Sequence, residues 1–198
     1  MQIVCYWFLK FMYYAFIGYL IEVFFALIKD HKFINRGFLI GPYCSIYGVA
    51  GIVLSFFNPQ LNVVLNFLLA MLCCGLIEGS TGYLLDKMFK MRWWDYRSEP
   101  LNLNGYICIR FMILFGLFSL VGIYFLNPMY DKIFDVCNPT VILTISIGLS
   151  LFYLLDLIIS NYLIIKIKKM IDPAKRSNTT LIIKMKKDTL LKCLKIAK

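Results

Sequence analysis

Apolar residues fill five stretches of the chain, at about 3–28, 38–57, 61–85, 106–126 and 141–165, and short polar segments separate them. Each stretch has roughly the 20 residues that a helix needs to cross a hydrocarbon core about 30 Å thick. Asn58-Pro59-Gln60 breaks what would otherwise be one apolar run, so spans two and three are predicted to form a tight helical hairpin. Asn127-Pro128 and Asn138-Pro139 are expected to bracket the connection between spans four and five. The pattern predicts an all-α, polytopic integral membrane protein with about five transmembrane helices. Its membrane domain covers 1–165, a basic tail covers 166–198, and no soluble domain fits between the spans.

Charge orients this arrangement, because Lys and Arg hold short loops on the cytoplasmic side. The first loop carries Lys29, Lys32 and Arg36, and the third carries Lys87, Lys90, Arg92 and Arg97; the tail adds 11 more, while Lys132 is alone on the other side. The N-terminus is therefore expected outside and the C-terminus in the cytoplasm, with the chain a multi-pass protein of the plasma membrane. Lys10 falls in the outer half of span one, where a long side chain is expected to snorkel outward. The first residues run into span one without a positive n-region or a small-residue cleavage site, so the segment is expected to be retained. The tail lacks aromatic residues; it reads as lipid-apposed or partly disordered, with Ser177-Asn178-Thr179-Thr180 placed to cap a helix through about Ala197.

Composition agrees with a lipid-facing chain: 61% of residues are hydrophobic, 17% are aromatic, and the mean hydropathy is +0.75. A net charge of +10 in such a chain points to anionic lipid at the cytoplasmic face. Nucleic acid is not expected, since no aromatic platform accompanies the lysines. The seven cysteines are odd in number, and most lie in or beside apolar runs, so they read as small hydrophobes. No CxxC pair occurs and His31 is the only histidine, so neither a metal nor a cofactor is expected.

The chemistry resides in four ionisable residues inside spans, Glu22, Glu78, Arg110 and Asp156, which are costly there and belong toward the bundle interior. At 1.5 Å per residue they lie roughly 9, 11, 6 and 14 Å from the cytoplasmic ends of their helices. All occupy the cytoplasmic half, which suggests one polar layer and a candidate substrate or ion site. One reading pairs Arg110 with Glu22 or Glu78 to fix helix register; another leaves a surplus carboxylate in an inward-open vestibule to bind a cation or a proton. A third has Arg110 hold a lipid headgroup. Gly75 and Gly79 in span three admit a neighbouring helix close to Glu78, for packing or along a substrate path.

Several motifs gather on the cytoplasmic face. Span two opens with Gly41-Pro42-Tyr43-Cys44 and continues to Tyr47-Gly48, which favours a kink or a substrate-lining broken helix. The first loop contributes Asn35, Arg36 and Gly37. The third contributes Arg92, Trp93, Trp94, Asp95 and Tyr96, then Asn102 and Asn104 before Gly105. The paired tryptophans read either as headgroup anchors or as a surface that couples to a cytoplasmic partner.

These motifs, in this order, resemble the CmpB-like ABC-transporter permease family, also called type IV. The residues that carry the resemblance are Asn35-Arg36-Gly37-Phe38-Leu39, Gly41-Pro42-Tyr43-Cys44, Ile46-Tyr47-Gly48, Glu78 with Thr81-Gly82, Arg92 to Tyr96, and Asn102 to Gly105 with Ile107-Cys108. It covers about 16–128. Ser45 stands where the family pattern commonly has proline, Gly79 where it often has an aromatic residue, and Tyr106 where it often has arginine, which removes an anion-binding charge at the mouth of span four. The resemblance implies a permease-like subunit of an ABC-type transport system. No GxxxxGK[ST] loop is present, so a separate cytoplasmic ATPase would supply nucleotide hydrolysis. Five short spans enclose little, so a homo-oligomer is expected. The alternatives are an intramembrane acid–base enzyme acting on lipid, for which no GxSxG or HExxH motif speaks, and a non-transporting membrane scaffold or regulator.

Overall fold

The computed structural model describes residues 1–31 and 37–170. Asn35, Arg36 and the proposed helix after Ser177 lie outside the described residues. Helices α1 (Gln2–Asp30), α3 (Val63–Phe89) and α6 (Pro139–Met170) and the rod Ile109–Val136 are each long and apolar enough to cross a membrane. Their outer faces stay apolar: Phe24, Leu76, Phe125, Phe152 and Ile158 are each about two-thirds exposed or more. A helix apolar all round with such a face suits lipid, not water.

Four such helices are present among the described residues, where the apolar runs predict five. The expected second span is instead an irregular stretch over 37–44 followed by the ten-residue α2 (Ser45–Leu54), which rises only about 15 Å. Proline lacks an N–H, and Asp156 on α6 takes the backbone donors of Ile40 and Gly41, so no helical ladder starts there. The stretch still runs the length of the bundle. Phe38 packs against Phe89 and Trp93 at one end, with ring centroids 5.5 and 5.6 Å apart, and Phe56 stacks on Trp7 at the other, at 5.4 Å.

Helix α2 is keyed onto α1 by glycines that receive rings. A Cβ on Gly18 would come within 2.1 Å of the Tyr47 ring, and one on Gly51 equally close to Tyr14. Asn62 caps α3 by accepting from the Val64 N–H at 2.8 Å, and His31 and Lys90 end α1 and α3 in left-handed conformation. After α3, β1 (Asn102–Leu103) and β2 (Ile107–Cys108) form a small antiparallel hairpin.

Asn127-Pro128 does not end the fourth span. Helix α4 (Ile109–Val121) passes through a π-helical turn (Gly122–Leu126) into α5 (Asn127–Val136). The wider turn, closed by the Asn127 N–H on the Gly122 carbonyl, accommodates the proline that follows. Asn127 faces inward, accepting from Tyr14 and Ser55 and donating to the Leu54 carbonyl. The link to α6 is then only Cys137 and Asn138. Helix α6 reaches Met170, so Lys166, Lys168 and Lys169 lie on it. Ile164 and Ile167 pack with Phe89 and Met91, which puts the C-terminal end of α6 beside the end of α3. The first turns of α1 lie beside α5, at the opposite end of the bundle.

Candidate functional site

Asp156 organises the irregular stretch. One carboxylate oxygen accepts from the Ile40 N–H at 3.0 Å and the Ser160 hydroxyl at 2.7 Å; the other accepts from the Gly41 N–H and the Tyr43 hydroxyl, both at 2.7 Å. Two further donors find carbonyls, Tyr43 N–H on Gly41 and Cys44 N–H on Ala15, each at 2.9 Å. Non-helical backbone persists at membrane depth only when its polar groups are met in this way. Beside the clamp, α1, the 40–43 stretch and α6 border an open groove of about 780 Å³ lined by Leu9, Phe16, Phe152, Leu155 and Ile159, with Asp156 and Tyr43 among its polar lining.

Glu22 and Glu78 are each held by a tyrosine. The Tyr47 hydroxyl donates to Glu22 at 2.7 Å, and the Tyr96 hydroxyl donates to Glu78 Oε1 at 2.8 Å. Tyr47 is fixed by its seat on Gly18; Tyr96 is fixed by stacking on Phe111 at 4.6 Å and by its N–H on the Gly105 carbonyl. Burial and the adjoining Glu78 push the Tyr96 hydroxyl far above the ordinary tyrosine range, so it stays a donor. Glu78 is only 5% exposed, and its Oε2 has no hydrogen-bond partner among the described residues. Glu22 is near enough for its charge to act on Glu78.

Arg110 does not join them. It sits in the first turn of α4 with 66% of its side chain exposed and pairs with Glu99 at 3.3 Å. Depth along a helix says nothing of rotation, and at this rotation the nearest acid comes from the preceding loop. Of the four expected members of the polar layer, Glu22 and Glu78 come together, Asp156 is taken up by the clamp, and Arg110 stands apart.

The motif residues of the third loop form a compact knot. Arg92 donates to Asp86 at 3.2 Å and to the Asn104 carbonyl at 3.0 Å, and its guanidinium lies 4.5 Å from the centre of the Tyr106 ring. Tyr106 also donates to Asp86, at 2.8 Å, and Trp94 donates to the Tyr106 carbonyl. Trp93 packs on Phe38 and Phe89, and Trp94 lies over Gly82, so the tryptophans build the end of the bundle. Asn102 accepts from the Gly105 N–H, while Asn104 and Gly105 take the positive φ values of the hairpin turn. Two Arg97 hydrogen bonds at 2.9 Å hold the Asp95 carboxyl below its ordinary range.

Two features were not anticipated. Asp86, the hub of the knot, lies one residue past the expected end of its span and so reads as a loop residue in the sequence. Lys10 does not snorkel: it is 2% exposed, bonded to Asp131 at 3.0 Å and to the Tyr6 hydroxyl at 2.8 Å, with the Tyr6 and Tyr130 rings 5.0 and 5.1 Å away. The continuation of the fourth span past Pro128 is what brings Asp131 within reach.

Among the described residues, no three His, Cys, Asp or Glu side chains converge as metal ligands. No curated protein and no solved structure matches the chain. The family model described as "Putative ABC-transporter type IV" matches residues 9–161, a stretch that contains all the long helices or most of each, the Asp156 clamp and both glutamate–tyrosine pairs. By that match this chain, with four membrane-length helices among its described residues, belongs to the ABC-transporter type IV (CmpB-like) family.

Proposed function

We propose that the chain is a permease-like subunit of an ABC-type transport system in the plasma membrane, working as a homo-oligomer with a separate cytoplasmic ATPase. The family match across the helical bundle carries this reading. The sequence holds no nucleotide-binding loop, so hydrolysis falls to a partner. Glu22 and Glu78 are the polar points of the transport path, and the end that carries Arg92 to Tyr96 and the hairpin faces the cytoplasm. Leu101, just before that hairpin, and Leu103 within it are exposed and offer the partner an apolar contact.

The positive-inside distribution of Lys and Arg supports this orientation. It is tested with the native exposed Cys137 at the link between α5 and α6. An impermeant thiol reagent should label Cys137 in intact cells, and a cysteine replacing Ser98 only after the membrane is opened; the reverse pattern overturns the orientation. The function is tested by isolating the chain in mild detergent from its own membrane. An ATPase subunit with a Walker motif should co-purify in fixed ratio and be lost when Leu101 and Leu103 are replaced by aspartate. A chain that purifies without any ATPase contradicts the reading.

A further inference from the structure

The buried oxygen of Glu78 raises a question of charge that the surrounding protein leaves open. Glu78 sits about 16 Å along α3 from its C-terminal end, by 1.5 Å per residue, and only one of its two carboxyl oxygens is met. The groups around it are Cys74 one turn earlier on α3, Glu22 from α1, itself bonded to Tyr47 of α2, and Tyr96 from the third loop, with Cys108 of β2 beside Tyr96. None brings a positive charge. Among the described residues, Lys10, Arg92, Arg97 and Arg110 make their ion pairs with other acids, and no ion pair reaches Glu22 or Glu78.

Two ionised carboxylates here would place two negative charges between helices with no cationic partner among the described residues. Such a group becomes neutral in practice, because an unpaired buried charge costs far more than an unmet hydroxyl. Tyr96 keeps its own proton, since it donates to Oε1, so any proton on Glu78 resides on Oε2. Glu22 is half-buried and lies eight residues from the end of α1, nearer the bundle's basic end than Glu78 is to the end of α3.

We infer that Glu78 is a proton-binding site, with the proton on Oε2, and that Glu22 is the group through which the proton exchanges with the basic end of the bundle. The two tyrosines are positioning residues: each fixes one carboxyl oxygen and leaves the other turned to the exchangeable proton. This concerns Glu78 itself and stands whether or not an ATPase partner is found. A site that gains and loses one proton changes the charge between α1 and α3, the kind of change that couples proton movement to a transport step.

The test is infrared spectroscopy of the purified full chain in lipid nanodiscs, in H₂O and in D₂O. The wild type should show a carboxylic-acid C=O band near neutral pH that shifts in D₂O, and Glu78→Gln should remove it. Tyr96→Phe should keep the band and raise its frequency, because the C=O loses its hydrogen bond; this variant serves even where Glu78→Gln fails to fold. Glu22→Gln should slow deuterium exchange of the same band. A spectrum in which Glu78→Gln removes a carboxylate band, or in which no carboxylic-acid band responds to Tyr96→Phe, overturns the site. Unchanged exchange in Glu22→Gln overturns the role of Glu22.

Discussion

Replacing Asp156 should release the irregular stretch that stands where a helix was expected. In Asp156→Ala the hydroxyls of Tyr43 and Ser160 can rotate toward other acceptors, but the Ile40 and Gly41 N–H groups are fixed by the backbone. Each stranded buried donor costs about 1–3 kcal/mol, so the loss is about 2–6 kcal/mol, offset in part because a mostly buried carboxylate is no longer held from water. Asp156→Asn keeps one acceptor and turns an NH₂ on the Gly41 N–H, which strands one donor and costs about half as much. Thermal unfolding of both variants in one detergent measures the loss. Amide hydrogen exchange at Gly41 locates it and should accelerate in both. A loss below about 0.5 kcal/mol for Asp156→Ala, the range of ordinary surface changes, or equal losses for the two variants, would refute the clamp.

Other consequences follow from single contacts. Gly18→Ala should destabilise by about 1–3 kcal/mol, because the Tyr47 ring fills the space. Gly148→Ala, with nothing within 4 Å of the added carbon, should be neutral or stabilise, and similar melting temperatures for the two variants would contradict the keyed contact between α1 and α2. Asp131→Leu leaves the Lys10 cation buried and unpaired, at up to about 3–5 kcal/mol, whereas Lys10→Met leaves Asp131, 45% exposed, to be hydrated at smaller cost; the opposite order in denaturant unfolding would show that Lys10 is wet. Asp95 is held below its ordinary value in the folded chain, so its contribution is complete above about pH 3.9 and fades as pH falls through the lower folded value. Trp94 fluorescence should therefore stay constant from neutral pH down to about pH 4 and change only below it, and a transition near pH 6 would contradict the Asp95–Arg97 pairing.

The long helices were legible because apolar runs report directly on a solvent that offers no hydrogen bonds. The second span was not, because an apolar run of the right length does not reveal where its backbone donors go. Gly41-Pro42 signalled a break, but its extent depends on Asp156, more than a hundred residues away. Pro128 misled in the other direction, since a π-turn absorbed it within one continuous rod. At the site, the depths of Glu22 and Glu78 were readable and their tyrosine partners were not, since those come from α2 and from a loop whose fold depends on Asp86. Arg110 shares their depth but not their rotation, and Lys10 reads as solvated in the sequence because its acid partner lies beyond Pro128, where a helix end is expected.

The measurement that bears most directly on the account is ATP hydrolysis by the co-purified ATPase in nanodiscs, with and without this chain. The chain should change the rate, and replacing Leu101 and Leu103 by aspartate should return it to that of the ATPase alone. A rate identical in the presence and absence of the chain would contradict a permease-like role.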